Sequence, residues 1–207
     1  MISAAEALER LRVGNQRFAE RLTLPVAGLE RGRDAVLGAA QEPFAIILGC
    51  SDSRVPAELV FDQGFGDLFV IRVAGNIVAP SQVGSIEFAA ARFHTPLVVV
   101  LGHTSCGAIE ATLEELRRPV AQQSPNLRSI VDRIRPSVET LLETHRPEDS
   151  DDDLLAHAVR ANVRASVNHL RHGSTLLESL IATNGLRVVG AEYSLTTGRV
   201  EFLDGVD

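Results

Sequence analysis

Three short apolar runs constrain the fold of this 207-residue chain more than any other feature of its sequence. Residues 44–48 read FAIIL and end at Gly49, and residues 97–101 read LVVVL. A third strand-like run covers residues 68–73. Runs without polar alternation are typical of strands buried on both faces, which occur in parallel sheets covered by helices. The sequence therefore predicts a buried, mostly parallel sheet.

Segments of helical periodicity alternate with these runs. The first covers residues 4–22, where leucines and a phenylalanine recur at helical spacing among charged residues. Further helical segments cover residues 83–93, 108–117, 124–145, 150–172 and 175–183, with a kink or restart expected at Pro136. Two final strand-like runs, residues 186–192 and 199–203, predict a hairpin.

Alternating strands and helices predict a single α/β domain over residues 1–207. We expect an N-terminal helical arm over residues 1–40. Residues 41–207 would form the α/β core, in which helices flank a mostly parallel central sheet and a C-terminal hairpin supplies the last strand.

The charge balance excludes several classes of function. Twenty basic residues, all of them arginine, face 27 acidic residues, which gives a net charge of −7 with 4% aromatic residues. Binding of nucleic acid is therefore not expected. The absence of lysine removes Schiff-base chemistry through that residue. No apolar stretch is long enough for a membrane span, and the first residues carry an acid where a signal peptide carries basic residues, so we expect a cytoplasmic protein with no membrane partner.

Two polar pentapeptides, residues 50–54 and 103–107, follow the apolar runs at residues 44–48 and 97–101. Cys50 opens the first, and His103 and Cys106 lie in the second. Because the carboxyl ends of parallel strands meet at one edge of a sheet, these three side chains would lie close together. Two thiolates and one imidazole form a Zn²⁺ ligand set that leaves a fourth tetrahedral position open.

Two alternatives stay open at this point. Buried cysteines are usually small core residues, and a single His-x-x-Cys pair is a weak signal. A closed structural zinc site is the second alternative, because Asp52 could fill the fourth position. Arg54, two residues further on, could pair bidentately with the Asp52 carboxylate and keep it away from the metal. The free oxygen of Asp52 would then accept a hydrogen bond from zinc-bound water or hydroxide.

The Cys50-x-Asp52-x-Arg54 motif, together with His103-x-x-Cys106, resembles the β-class carbonic anhydrases, and the likeness covers roughly residues 41–116. The resemblance implies reversible hydration of carbon dioxide to bicarbonate and a proton. It places one Zn²⁺ per subunit on the two cysteines and the histidine, with the aspartate and the arginine as a catalytic dyad. It also implies self-association as a dimer or tetramer, with each site near a subunit boundary.

The resemblance further implies a set of substrate-binding residues. Gln41 stands where plant-type members have a glutamine that donates to the substrate, and Phe69 and Phe88 stand where aromatic residues line the carbon dioxide pocket. Ala74 replaces a larger aliphatic residue of that pocket, and the backbone N–H of Gly107 would donate to bound substrate.

The same comparison of residues indicates which type of site the chain carries. Arg72 matches the arginine of an inhibitory bicarbonate pocket found in some members, but Ile47 occupies the position of the tryptophan that this pocket uses. We therefore expect the plant-like, permanently open type of site.

Two further functions remain as alternatives. The same zinc hydroxide could hydrolyse carbon disulfide or carbonyl sulfide, because both are linear analogues of carbon dioxide. The chain could instead be a non-catalytic zinc or redox-sensing protein in which Cys50 and Cys106 form the switch.

Overall fold

A computed structural model of the protein describes residues 2–20, 41–118, 124–146, 148 and 150–204. Within these residues the chain forms seven α-helices, five β-strands and one 3₁₀ turn. The helices are α1 (Ala4–Glu20), α2 (Ala57–Val60), α3 (Pro80–Arg92), α4 (Gly107–Arg117), α5 (Pro125–Thr144), α6 (Asp151–His172) and α7 (Thr175–Asn184). The strands are β1 (Ala45–Gly49), β2 (Leu68–Arg72), β3 (Leu97–His103), β4 (Arg187–Tyr193) and β5 (Val200–Asp204), and the 3₁₀ turn is Ala74–Asn76.

The five strands form one sheet in the order β2-β1-β3-β4-β5. The first four are parallel, and β5 pairs with β4 in the antiparallel direction. The predicted α/β fold, with its mostly parallel sheet and C-terminal hairpin, is therefore confirmed. The predicted helical arm is helical over α1, and residues 21–40 of that arm lie outside the described residues.

Helices cover both faces of the sheet, which explains why its central strands are continuously apolar. Every residue of β1 and β3 is buried. On one face, Ile47 and Val99 pack with the apolar side of α1. On the other face, Leu48 and Val100 pack with side chains of α3, α6 and α7, including Val163 of α6. Apolar residues point to both faces of each strand, so the alternation typical of half-exposed strands is absent from both.

Helix α6 begins where the sequence predicts it to begin. Ser150 accepts a hydrogen bond from the backbone N–H of Asp153, and three aspartates occupy the first turn. A hydroxyl cap and first-turn acids satisfy and complement the exposed N–H groups of a helix start.

Helix α5 continues through Pro136 as one helix, so the predicted restart does not occur. Buried residues on both sides of the proline, Ile134 and Val138, pack into the same cluster against α4 and α6. Tertiary packing thus keeps the two halves together although the proline lacks an N–H donor. Among the described residues, no helix combines the length and the apolar character that a membrane crossing needs.

Candidate metal centre

The carboxyl edge of the sheet brings the two pentapeptides together. Cys50 follows the last residue of β1, His103 ends β3, and Cys106 caps the start of α4. The two sulfur atoms and a ring nitrogen of the histidine all lie within 4.8 Å of one another, and the three residues are buried. The structure therefore brings together the three residues that the sequence proposes as metal ligands.

The geometry of these atoms fits a tetrahedral zinc ion. The sulfur atoms of Cys50 and Cys106 are 3.9 Å apart, and two zinc–sulfur bonds of about 2.3 Å at a tetrahedral angle would separate them by about 3.8 Å. His103 Nδ1 lies 3.0 Å from the carbonyl oxygen of Thr104, which favours the tautomer with its proton on Nδ1. His103 Nε2 is buried and has no hydrogen-bond partner among the described residues, so its lone pair is free for a metal.

The thiols carry unequal pKa values when no metal is present. Donation from the Cys106 thiol lowers the pKa of Cys50 to about 4, and the same contact raises the pKa of Cys106. Burial lowers the pKa of His103, but the neighbouring Cys50 sulfur and the Thr104 carbonyl outweigh burial and leave this pKa raised. One negative charge is thus shared between the sulfurs, beside an imidazole that attracts a proton. A divalent cation would replace the protons in this cluster.

Asp52 and Arg54 form a bidentate ion pair at the rim of this cluster. Arg54 Nε donates to Asp52 Oδ1 at 2.9 Å, and Arg54 Nη2 donates to Asp52 Oδ2 at 2.7 Å. The side-chain hydrogen bond from Arg54 is the main reason that the pKa of Asp52 lies well below its usual range. Asp52 Oδ2 lies 3.8 Å from His103 Nε2, so the carboxylate faces the cluster. Its lowered pKa means that it is ionised at neutral pH.

Two residues support the Cys50–Asp52 loop in ways that sequence reasoning missed. Arg72, at the end of β2, donates from Nε to the Cys50 carbonyl at 3.1 Å and from Nη2 to the Asp52 carbonyl at 2.5 Å. The backbone N–H of Gly75 donates to the Cys50 sulfur at 3.4 Å. The resemblance assigns Arg72 only to a bicarbonate pocket, whereas in the structure it holds the loop that carries Cys50 and Asp52. No sequence signal identifies Gly75, because its contact depends on the path of the 3₁₀ turn.

The predicted substrate residues fall into two groups. Ala74 lies in the 3₁₀ turn next to Gly75, whose N–H contacts the Cys50 sulfur, and Gly107 directly follows Cys106, so both residues lie beside the cluster. Both positions are compatible with a pocket wall and a backbone donor.

The second group lies away from the cluster within one chain. Phe69 pairs with Ile46, four residues before Cys50, which corresponds to about 13 Å along a strand. Phe88 packs against Phe69 on the same side of the sheet, with ring centroids 6.4 Å apart. Gln41 is exposed and lines a cavity with Pro96, the residue before β3, at the amino edge of the sheet. The structure does not bring Gln41, Phe69 or Phe88 to the Cys50–His103–Cys106 cluster of their own chain.

Comparison with known proteins relates this edge-of-sheet cluster to one enzyme family. A family model described as carbonic anhydrase matches residues 45–200, which contain both pentapeptides. The fold is shared with a solved β-carbonic anhydrase of Aspergillus fumigatus, with a TM-score of 0.74 and 25% identity over 98% of this chain and 89% of that chain. The chain belongs to the β-carbonic anhydrases.

Curated β-carbonic anhydrase relatives cover almost the whole chain. A carbonic anhydrase of Mycolicibacterium smegmatis is 41% identical over 94% of this chain and 91% of its own length. Carbonic anhydrase 2 of Mycobacterium tuberculosis is 38% identical over 97% of this chain and 93% of its own length. Among solved structures, one of two tetrameric β-carbonic anhydrases from Sordaria macrospora aligns with a TM-score of 0.71 and 25% identity, covering 79% of this chain and 82% of that chain.

Proposed function

We propose that this β-carbonic anhydrase hydrates carbon dioxide reversibly to bicarbonate and a proton, with one Zn²⁺ per subunit held by Cys50, His103 and Cys106. The observation that carries the proposal is the convergence of three ligand atoms within 4.8 Å, including a buried imidazole nitrogen that has no partner among the described residues. When bound there, Zn²⁺ supplies the Lewis acidity that makes water a nucleophile near neutral pH.

The dyad would prepare water for attack. An ionised carboxylate can only accept hydrogen bonds, so Asp52 would bind the attacking oxygen through a proton and turn a lone pair towards carbon dioxide. Arg54 would keep Asp52 in this position, because both oxygens of the carboxylate receive guanidinium hydrogen bonds. The pair would therefore act as an orienting group and would keep the carboxylate off the metal.

Substrate would be bound by residues of one chain and of a second copy. The N–H of Gly107, at the start of α4, would stabilise negative charge that develops on a substrate oxygen, and Ala74 would form part of the wall. Gln41, Phe69 and Phe88 would act in the site of a neighbouring subunit. Two features support this assignment: β2 is an edge strand, and Phe88 is 53% exposed in the single chain.

Self-association, type of site and location complete the proposal. A solved relative is tetrameric, and we propose a dimer or tetramer for this chain. Ile47 is fully buried in the core on the α1 side of the sheet, which supports the open, plant-like type of site without an inhibitory bicarbonate pocket. Both cysteines are free thiols, which suits the reducing cytoplasm.

Stopped-flow measurement of carbon dioxide hydration by the zinc-loaded protein tests the proposal. We expect hydration well above the buffer rate, abolished in Cys50→Ser and lost on removal of zinc. Sulfide release from carbon disulfide or carbonyl sulfide, measured on the same sample, tests the hydrolase alternative. A protein that binds stoichiometric zinc but hydrates no carbon dioxide would contradict the proposal and favour the non-catalytic zinc or redox-sensing alternative.

A further inference from the structure

Helix α6 presents two buried polar side chains to the 3₁₀ turn beside the Cys50–His103–Cys106 cluster. Asn162 Nδ2 donates to the Gly75 carbonyl at 2.8 Å. Ser166, one helical turn later, donates from its hydroxyl to the Asn76 carbonyl at 3.3 Å. Asn162 is 2% exposed and Ser166 is 5% exposed. Buried polar groups in an otherwise apolar helix face are costly unless they have a specific partner, and here the partners are two consecutive carbonyls of one turn.

The turn needs this support because its backbone is strained. Gly75 has φ +70°, and Asn76 has φ +42°, a conformation that residues with a Cβ rarely adopt. The amide nitrogen of Asn76 does not hold the turn, because this buried Nδ2 has no partner among the described residues. A strained segment persists only where its surroundings determine it. Asn162 and Ser166 are the side chains that hold this turn by hydrogen bonds to its carbonyls.

The conformation of the turn determines whether the Cys50 sulfur receives a hydrogen bond from the backbone. The N–H of Gly75 donates to the Cys50 sulfur, and the carbonyl of the same residue is the group that Asn162 binds. A hydrogen bond to a metal-bound thiolate withdraws charge from the sulfur. With two thiolates the zinc centre is formally neutral, so a donor on one sulfur increases the acidity of the metal.

We propose that Asn162 is a positioning residue of the metal centre. It fixes the Gly75 N–H on the Cys50 sulfur, and it thereby affects both how tightly the metal is bound and how acidic the metal is. This assignment rests on the proposed metal site. It does not depend on which substrate the site turns over.

The test compares Asn162→Leu, which keeps the branched shape of the side chain without its polar atoms, with Asn162→Ser, which keeps a small polar group that is too short to reach the turn. The matched control is Asn15→Leu. Asn15 is also a buried asparagine, 5% exposed, and its amide donates to the carbonyls of Val60 and Gly198, neither of which belongs to the turn that contacts Cys50. Ser166→Ala serves as a second control on the same helix face.

Two measurements are made on each protein. The first is the rate at which a chelator removes Zn²⁺, and the second is the thiolate-to-cobalt charge-transfer band of the Co²⁺-substituted protein. We expect both Asn162 variants to lose zinc about 10- to 100-fold faster and to shift the charge-transfer band. Asn15→Leu should lower thermal stability without either change, and Ser166→Ala should show smaller changes than the Asn162 variants.

A purely structural role for Asn162 would affect stability alone. The proposal is overturned if the Asn162 variants that fold keep the wild-type band and release zinc within twofold of the wild-type rate. It is also overturned if Asn15→Leu shifts the band equally. Failure of the proposed function gives a different result, in which the wild type hydrates no carbon dioxide but the band still responds to Asn162.

Discussion

The guanidinium of Arg54 donates to both oxygens of Asp52, from Nε to Oδ1 at 2.9 Å and from Nη2 to Oδ2 at 2.7 Å. Asp52 Oδ2 lies 3.8 Å from Nε2 of His103. Arg54 is 57% exposed whereas Asp52 is 15% exposed, so the arginine reaches inward to a carboxylate that the fold has already placed. Exposed ion pairs contribute little to stability. The contribution of this pair is therefore expected in catalysis, through the direction in which the carboxylate points.

Replacing the arginine tests this relationship. In Arg54→Ala, Asp52 loses both guanidinium hydrogen bonds and becomes free to bind the metal. We expect carbon dioxide hydration to fall by at least about 100-fold, with zinc content unchanged by metal analysis. Arg12→Ala is the control, because Arg12 is an exposed arginine of α1 that pairs with a glutamate on its own helix. Near-normal hydration by Arg54→Ala would refute the orienting role of the dyad.

Removing one thiolate tests the ligand assignment. Cys50→Ser replaces a soft sulfur ligand with a hydroxyl that binds Zn²⁺ poorly. We expect this variant to retain a small fraction of the zinc after dialysis against a chelator that leaves the wild type fully loaded. Retention of one zinc per chain under those conditions would show that Cys50 is not a ligand.

The number of protons released when zinc binds should follow from the unequal pKa values of the two thiols. The pKa of Cys50 is lowered to about 4, so this sulfur is already a thiolate at neutral pH. The pKa of Cys106 is raised, so zinc has to displace its proton, and zinc affinity should rise as pH rises. The raised pKa of His103 adds a second, partial proton at the lower end of the range.

Calorimetry in buffers of different ionisation enthalpy measures this release. We expect about two protons per zinc at pH 9, one from Cys106 and one from water bound to zinc, whose pKa falls to about 7. At pH 6, below the ionisation of that water, we expect one proton from Cys106 plus the protonated fraction of His103. Release of three protons at pH 9 would mean that both thiols are protonated before zinc binds, which contradicts the charge sharing described above.

Arg72 offers a test of the loop that carries both Cys50 and Asp52. Its guanidinium donates to the carbonyls of these two residues, and a lysine cannot span both. We expect Arg72→Lys to reduce hydration activity or zinc affinity by about 10- to 100-fold, as is typical when a residue that orients metal ligands is lost. Wild-type values for both quantities in Arg72→Lys would show that the loop holds its shape without this contact.

The sequence predicts much of the frame of this site. The apolar runs place β1 and β3 to within two residues, and the Ser150 cap places the start of α6. These features are local, because a buried strand and a helix cap each depend on residues that are adjacent in the sequence. The convergence of the two pentapeptides also follows from the rule that parallel strands share a carboxyl edge.

The contacts around the metal ligands were not predictable in the same way. The 3₁₀ turn takes positive φ values at Gly75 and Asn76 because α6 binds its carbonyls, and those partners are about 90 positions away in the sequence. The sequence resemblance associates Arg72 with a bicarbonate pocket, whereas its partners in the structure are backbone carbonyls, which carry no sequence signal. Long-range contacts to the backbone are the part of the site that needs the structure.

A final prediction concerns the close approach of α6 to β3, just before His103. A Cβ added at Gly102 would lie 2.5 Å from Val163 Cγ2 and 3.4 Å from Val159 Cγ1. Valine side chains have little rotamer freedom on a helix, so the helix or the strand has to shift. We expect Gly102→Ala to lower the free energy of unfolding by about 1–3 kcal/mol, measured by urea denaturation, and to weaken zinc binding because the strand end carries His103.

Gly49→Ala provides the matched control. Gly49 occupies the equivalent place at the end of β1, directly before Cys50. Among the described residues, a Cβ there would meet only the Leu101 carbonyl oxygen at 3.9 Å, an ordinary contact. We expect its unfolding free energy to lie within about 0.5 kcal/mol of the wild type. Equal destabilisation by the two substitutions would mean that any side chain at these strand ends is harmful, whereas a large effect at Gly102 alone locates the constraint in the packing of Val163 against β3.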